Sequence, residues 1–245
     1  FRSKLSFKVA MAASGTAGTA PKWGAMMLPC AMAETVVAST SVAYNLVSAV
    51  FPSVTAYMEI DGVLYKFVGA RGNLKGSLPA AGTPEFTIEL TSVYTAPAAG
   101  TVSGIVKTGW TYEDAVNSVN TGKVTLNGVD LAFSTLDWDL ANQIARIDLP
   151  GPQLEVMVRD RSPSMGLKVL APALATFNPY SLADAGGTLT LTNTHGTVAG
   201  KKVKTDAKVR IVGISETEIE GMAAYDLKLD LVPVSGNDEL VITCL

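Results

Sequence analysis

Alternation of hydrophobic and polar residues is the dominant pattern along this chain, and it predicts strands rather than helices. Residues 4–11 place Leu5, Phe7 and Val9 on one side and charged or small residues on the other. Further strands are predicted at residues 42–46, 54–60, 63–68, 85–90, 124–133, 136–140, 144–149, 154–159, 166–170, 188–191, 203–212, 225–232 and 239–243. The pattern therefore predicts an all-β fold.

Short turn sequences indicate how some of these strands connect. Asp61-Gly62 and Asn127-Gly128 are typical of two-residue hairpin turns at positive φ, and GARGN at residues 69–73 predicts another turn. Residues 124–133 align on residues 58–67 without a gap. This match indicates either an internal duplication or the ordinary recurrence of a β-meander.

One short helix is predicted at residues 22–32, after Pro21. Trp23, Met26, Met27 and Cys30 recur there at helical spacing and form a core-facing stripe. Pro29 shortens or kinks this helix. Residues 178–185 could hold a further helical turn, which Gly186 and Gly187 would close.

The domain organisation follows from length and from one small-residue stretch. A chain of 245 residues forms either one large β domain or two small ones. TAPAAG at residues 95–100 is the best candidate linker. The resulting modules are residues 1–98 and residues 99–245, with one continuous domain as the alternative.

Composition narrows the class of protein. Charged residues make up 17% of the chain, hydrophobic residues 48%, and the net charge is −3, which argues against a nucleic-acid-binding surface. Cys30 and Cys244 are too few for a disulfide framework, so buried free thiols in a reducing compartment are favoured over a bridge. No apolar run approaches the roughly 18 residues of a membrane span. Residues 1–8 lack a continuous apolar stretch, and no secretory signal is expected.

The residues that could carry chemistry do not form a catalytic set. His195 lies in TNTHG at residues 192–196, which predicts a solvated loop residue without a partner for general-base catalysis. Asp137 and Asp139 could bind a metal, but the polar side of an amphipathic strand is favoured. Arg159, Asp160 and Arg161 indicate ion pairing at a surface or a subunit contact. We therefore expect that the chain is not an enzyme and that it has no catalytic, cofactor or metal site.

Several motifs together resemble one family over nearly the whole chain. They are PKWG at residues 21–24 with Cys30, the Asp61-Gly62 hairpin followed by GARG at residues 69–72, APALATFNP at residues 171–179, and SGNDELVI at residues 235–242. In this order and spacing they resemble the tail tube (major tail) proteins of long non-contractile-tailed bacteriophages.

That resemblance implies an all-β, tail-tube-type sandwich or barrel with one short helix. Inner strands of neighbouring subunits would join into one continuous barrel within stacked rings, through which the genome passes without specific binding. The rings would be hexameric, or trimeric with pseudo-six-fold symmetry. The implied partners are other copies of the chain, the tape measure protein, and tail terminator or tail tip proteins. The implied location is the virion tail, assembled in the host cytoplasm without a membrane.

Passage of DNA places a condition on the inner wall of such a tube. Lys and Arg on the wall would bind phosphates and retard transit, so an acidic or neutral wall is expected. Glu85 with Glu89 and Asp137 with Asp139 are carboxylates at period-two spacing opposite apolar residues. These four residues are the candidates to face the lumen, and an outer solvated face is the alternative.

Two other functions remain compatible with the sequence. One is a tube component of a bacterial contractile injection system. The other is a β-sandwich binding or adhesion module, which would need exposed aromatic residues or an acidic calcium loop. Trp110 and Tyr112, in the long connection at residues 109–122, are the only candidates for that role.

Overall fold

The computed structural model describes residues 2–106, 108–151 and 153–245. Its strands, in chain order, are β1 (Arg2–Ala10), β2 (Met32–Val37), β3 (Ser41–Leu46), β4 (Val54–Ile60), β5 (Val63–Pro79), β6 (Glu85–Val93), β7 (Ala98–Ala99), β8 (Val124–Leu126), β9 (Val129–Leu131), β10 (Phe133–Asp139), β11 (Asn142–Leu149), β12 (Gln153–Arg161), β13 (Ser164–Leu170), β14 (Leu189–His195), β15 (Val203–Ile219), β16 (Met222–Leu231) and β17 (Leu240–Cys244). Two 3₁₀ turns (Gly24–Met26 and Leu28–Cys30) and one α-helix, α1 (Pro179–Ala185), complete the described elements. The predicted all-β class is confirmed.

Seven strands form what we call the central sheet, in the order β1-β6-β5-β10-β13-β16-β15. Every neighbouring pair in it is antiparallel. The long strand β15 continues into a second sheet with the order β9-β8-β14-β15-β17-β3-β2. β4 and β7 flank the first part of β5, and among the described strands β11 pairs only with β12, in a separate ribbon. The sheets are not closed into a barrel within one chain.

A chain of aromatic rings connects the buried faces of the two sheets. Trp23 lies 5.2 Å from Tyr44 of the second sheet and 4.9 Å from Phe86 of the central sheet, measured between ring centroids. Phe86 in turn lies 5.9 Å from Trp138 on β10. All four side chains are buried in one hydrophobic cluster that contains residues of both sheets. This shared core fixes the sheets against each other.

Both predicted hairpin turns are confirmed. Asp61 and Gly62 have φ values of 47° and 74°, and Asn127 and Gly128 have values of 50° and 80°. The turn predicted at residues 69–73 is wrong, because β5 runs through this segment without reversing. A register shift between Val68 and Arg71 and a positive φ of 59° at Gly69 absorb the irregularity as a β-bulge.

The predicted helix at residues 22–32 is also wrong as an α-helix. Two 3₁₀ turns stand there instead, and Ala31 in the left-handed region ends the second one before β2 begins. Pro29 within this segment lacks the N–H that a continuous α-helix would need. The core-facing stripe is confirmed for Trp23, Met27 and Cys30, which are buried, while Met26 is partly buried.

The helical turn considered at residues 178–185 is an α-helix with defined caps. The side chain of Asn178 accepts hydrogen bonds from the backbone N–H groups of Tyr180 and Ser181, and Gly186 ends the helix in the left-handed region. Pro179 stands at the first helical position, where its missing N–H costs nothing. The caps at Asn178 and Gly186 therefore stabilise α1 although it is only seven residues long.

The segment proposed as a linker, residues 95–100, is partly paired with strand β5. Ala98 and Ala99 pair with Leu64 and Val63 of β5. Residues on both sides of position 98 belong to the same hydrophobic cluster, and the division into modules 1–98 and 99–245 stays a prediction. Within the described residues, no helix is long and apolar enough to cross a membrane.

Both cysteines are free and buried, as the sequence predicts. Burial raises the pKa of the Cys30 thiol to about 12, and burial together with the charge of Glu34 does the same for Cys244. Both side chains are therefore thiols rather than thiolates near neutral pH, and they are shielded from reagents.

Candidate functional site

The outward side of the central sheet forms one continuous polar surface, which we call the polar face. Its middle row consists of residues that stand directly opposite one another on successive strands: Lys8, Thr87, Lys75, Asp139, Ser164, Asp230 and Arg210. The neighbouring row contains Glu85, Ser77, Asp137 and Gly166. Glu89 lies in the row on the other side, opposite Ser6 and Asn73. All four carboxylates predicted to share polar strand faces therefore lie on the same face.

The sign of the charge on the polar face alternates from strand to strand. Lys228, between the two aspartates of β16, is the exception. The other charged residues are Arg2, Lys4 and Lys8 on β1, Glu85 and Glu89 on β6, Lys75 on β5, Asp137 and Asp139 on β10, Lys168 on β13, Asp226 and Asp230 on β16, and Lys208 and Arg210 on β15. Opposite charges on neighbouring strands stabilise the register of a sheet.

Several of these opposite charges are in contact. Lys8 Nζ lies 2.8 Å from Glu85 Oε2, and Lys75 Nζ lies 3.4 Å from Glu89 Oε1 and 3.6 Å from Asp139 Oδ2. Burial lowers the pKa of Lys75, but the charges and hydrogen bonds of Asp139 and Glu89 outweigh it and raise the pKa above its ordinary value. Lys75 therefore stays protonated between the two carboxylates.

These pairs change the expected character of the surface. The sequence predicts carboxylates on polar strand faces, whereas the fold also brings lysines from other strands beside three of the four. Asp137 differs, because its cross-strand neighbours Ser77 and Gly166 carry no charge. Since the charges alternate over the spacing of adjacent strands, the field of the face largely cancels within a Debye length of about 8–10 Å. The polar face thus carries alternating charges with a small excess of cations, eight against six, rather than an acidic surface. Its placement toward a lumen stays a prediction.

The β11–β12 ribbon anchors to the edge of this surface. The Asn142 side chain donates hydrogen bonds to the carbonyl oxygens of Gly72 and Cys30, at 3.0 and 2.9 Å. The Arg71 side chain on β5 donates to the carbonyl oxygens of Phe51 and Val156, and Val156 belongs to β12. Away from the ribbon, the side chains of Lys75, Glu85 and Asp137 on the polar face remain accessible.

A cleft with a volume of about 480 Å³ lies between the end of β12 and the end of β16. Arg161 and Glu239 line it and form an ion pair in which Nη2 and Oε1 are 2.6 Å apart. Its described lining contains no histidine or cysteine. The Glu239 carboxylate is therefore held by Arg161 and is not free to act as a general base. Surface ion pairing, one of the two alternatives predicted for Arg161, is wrong, since its partner is a buried glutamate. A subunit contact at residues 159–161 stays a prediction.

His195 is not the solvated loop residue that the sequence predicts. It ends β14, is 3% exposed, and its Nδ1 lies 2.8 Å from Thr121 Oγ1. Burial lowers the pKa of His195, while the charge and backbone of Asp114 partly oppose that effect. A neutral imidazole in a β-strand core fits a structural role. The alternation of residues 189–195 was the signal for this placement, because it puts His195 on the same side as Leu189 and Leu191.

The two aromatic residues of the long connection are exposed, Trp110 at 52% and Tyr112 at 93%. Across the described residues, no group of three or more His, Cys, Asp or Glu side chains is arranged to hold a metal ion.

A comparison with protein-family models gave no match, and a comparison with curated proteins gave none either.

Proposed function

We propose that this chain is a structural virion protein that assembles into stacked rings and forms the hollow tail tube of a long-tailed, non-contractile bacteriophage. The observation that carries this proposal is the open central sheet of seven strands, in which β1 on one side and β15 beyond Val209 on the other have no further described strand beside them. Exposed sheet edges pair readily with other chains, and closure into a barrel removes them. Assembly of several copies around an axis would close the sheet that one chain leaves open.

The alternation of charge on the polar face supports the same function. A tube that carries DNA needs a hydrated inner wall without a strongly cationic field, because neutralised phosphates release counterions and bind. Lysines held between carboxylates, as Lys75 is between Glu89 and Asp139, offer little attraction to a phosphate. The motif resemblance to tail tube proteins supports the proposal independently of this surface.

Self-assembly is the first expected result. Purified protein examined by negative-stain electron microscopy over a range of concentrations should form rings that stack into hollow tubes. Native mass spectrometry of isolated rings should count three subunits if the two modules are duplicates, and six if they are not. A chain that stays monomeric at high concentration, and whose gene can be deleted without a tail defect, would rule the proposal out.

Reversal of one charge on the polar face tests whether this face lines the lumen. Asp137 is exposed and has uncharged cross-strand neighbours, so Asp137→Lys disturbs no ion pair across the strands. Phage carrying this variant should assemble normal tails but eject DNA more slowly, and the delay should grow at low salt, where screening is weaker.

A matched control for this measurement is Asp184→Lys. Asp184 is exposed on α1, away from the polar face, and the substitution changes the charge by the same amount. Its ejection rate should equal that of the unmodified phage. Equal ejection rates for Asp137→Lys and Asp184→Lys would place the polar face outside the lumen.

Two alternatives are separable from this proposal. A tube component of a bacterial contractile injection system would also form rings, and the neighbouring genes would distinguish it. A β-sandwich binding module is favoured only by the exposure of Trp110 and Tyr112. That module would remain monomeric in the assembly experiment.

A further inference from the structure

The central sheet has one unpaired edge at each end. β1 pairs with β6 on one side, and no other described strand pairs with it. At the opposite end, β14 pairs with β15 only as far as Val209. Residues 210–219 of β15 therefore have β16 on one side and no described strand on the other. The two open segments are similar in length, so each could pair fully with the other.

We propose that β1 of one subunit pairs in parallel with residues 210–219 of β15 in the next subunit, so that these two edges form the joint of the ring. This inference rests on the proposed function. Six antiparallel steps separate β1 from β15 across the sheet, so the two strands run in the same direction. Rotation about a ring axis preserves that direction, and the joint is therefore parallel within an otherwise antiparallel wall.

The charges of the two edges favour this pairing over self-pairing. If β1 paired with a second β1 along its full length, the antiparallel register would centre on Ser6 and place Lys4 opposite Lys8. Like charges directly opposite each other destabilise a sheet, and edge lysines commonly prevent such self-association. On the polar side, residues 213–217 of β15 instead offer Gly213, Ser215 and Thr217. With Lys4 opposite Ser215, Arg2 would face Gly213 and Lys8 would face Ile219. No like charges would then lie directly opposite each other.

Net charge brings the two edges together. β1 carries Arg2, Lys4 and Lys8, whereas the end of the β15–β16 hairpin carries Glu216, Glu218 and Glu220. Glu216 lies on the side opposite the polar face, where its carboxylate accepts a hydrogen bond from the Tyr180 hydroxyl. The electrostatic attraction between the basic strand β1 and the acidic hairpin end therefore steers the encounter of two subunits. It does not depend on individual ion pairs across the joint.

Apolar side chains at both edges are left incompletely covered by one chain. Leu5, Phe7 and Val9 of β1 and Ile214 of β15 are each only partly buried, although they pack against the hydrophobic cluster. They lie on the buried side of the central sheet. A neighbouring strand at each edge would remove more of this apolar surface from water and so stabilise the joint.

Engineered cysteines test the joint directly. Ser6 and Ser215 are exposed and Thr217 is partly exposed, all on the polar side of the two edges. Ser6→Cys is combined with Ser215→Cys or with Thr217→Cys, two positions that allow for the register, and assembled rings are treated with a short bis-maleimide. Denaturing electrophoresis should show a ladder that ends at the number of subunits in the ring. The native thiols of Cys30 and Cys244 are buried and do not compete.

Two controls separate the possible outcomes. Ser6→Cys alone should give only monomers, and so should Ser6→Cys with Ser164→Cys, because β13 has strands on both sides. Dimers from Ser6→Cys alone would show β1–β1 pairing and overturn the proposal. Rings visible by microscopy without a ladder from either double variant would overturn this joint but leave the proposed function standing. A chain that forms no rings would overturn both.

Discussion

Replacing Arg161 with methionine is expected to lower the free energy of unfolding by about 3–5 kcal/mol, because it leaves a buried carboxylate without its partner. Glu239 is 2% exposed, and its Oε1 accepts a hydrogen bond from Arg161 Nε at 2.8 Å and lies 2.6 Å from Arg161 Nη2. Its Oε2 has no hydrogen-bond partner among the described residues. Without the guanidinium, the carboxylate loses both of its contacts with Arg161.

Arg161 also connects three segments that are distant in sequence. From the end of β12, its Nη1 donates to the Val47 carbonyl oxygen and its Nη2 donates to Asn237 Oδ1, both at 2.7 Å. Val47 follows β3, and Asn237 precedes β17. Loss of these bonds should therefore loosen the β11–β12 ribbon as well as lower global stability. Hydrogen exchange at the backbone amides of the ribbon would detect that local effect.

Urea denaturation of three variants measures the expected loss and its cause. Arg159→Met removes an exposed arginine two residues away on β12 and should change stability by less than about 0.5 kcal/mol. Arg161→Met with Glu239→Leu removes both charges and should recover most of the loss, because an apolar pair does not carry the desolvation cost of a lone ion. A cost below about 1 kcal/mol for Arg161→Met alone would contradict this account of the ion pair.

Local pattern predicts the faces of strands well in this chain. In β6, Phe86, Ile88 and Leu90 are buried while Glu85 and Glu89 remain accessible, as period-two alternation requires. The Asp61-Gly62 and Asn127-Gly128 turns form as predicted because their geometry depends on two residues and their immediate neighbours. Information of this kind is contained within a few consecutive residues.

The failures arise where distant segments decide the structure. A bulge carries β5 through residues 69–73 because β6 and β10 pair along its second half, and neither strand is identifiable as its partner from residues 69–73 alone. The carboxylates of the candidate site were predicted correctly as residues on polar strand faces. Their lysine partners were not, since Lys75 meets Glu89 and Asp139 only through the register of three strands.

The second large effect is expected at Gly76, in the middle of the central sheet. Gly76 stands directly opposite Phe86 on β6 and Trp138 on β10, and the two rings meet across it. A Cβ atom at position 76 would lie less than 3.0 Å from atoms of the Trp138 indole, closer than real Cβ atoms come to other groups. The absence of a side chain at this position is therefore what lets the aromatic chain cross the sheet.

Gly76→Ala should lower the free energy of unfolding by about 3 kcal/mol, at the upper end of the cost of overpacking a core. Trp138 is 3% exposed and Phe86 is fully buried, so neither ring can move aside into solvent. Displacement of Trp138 would be transmitted through Phe86 and Trp23 to Tyr44 in the second sheet. Thermal and urea unfolding should both report the loss.

Gly166→Ala on β13 is the matched control, because no atom lies within 4 Å of a Cβ built there. It should leave stability within about 0.5 kcal/mol or raise it slightly, since alanine restricts the unfolded chain. Combining Gly76→Ala with Trp138→Phe should recover part of the loss by making room for the new methyl group. The indole Nε1 has no hydrogen-bond partner among the described residues, so the smaller ring sacrifices packing alone. Equal stabilities for Gly76→Ala and Gly166→Ala would show that the indole can move aside and that the ring contact does not depend on glycine.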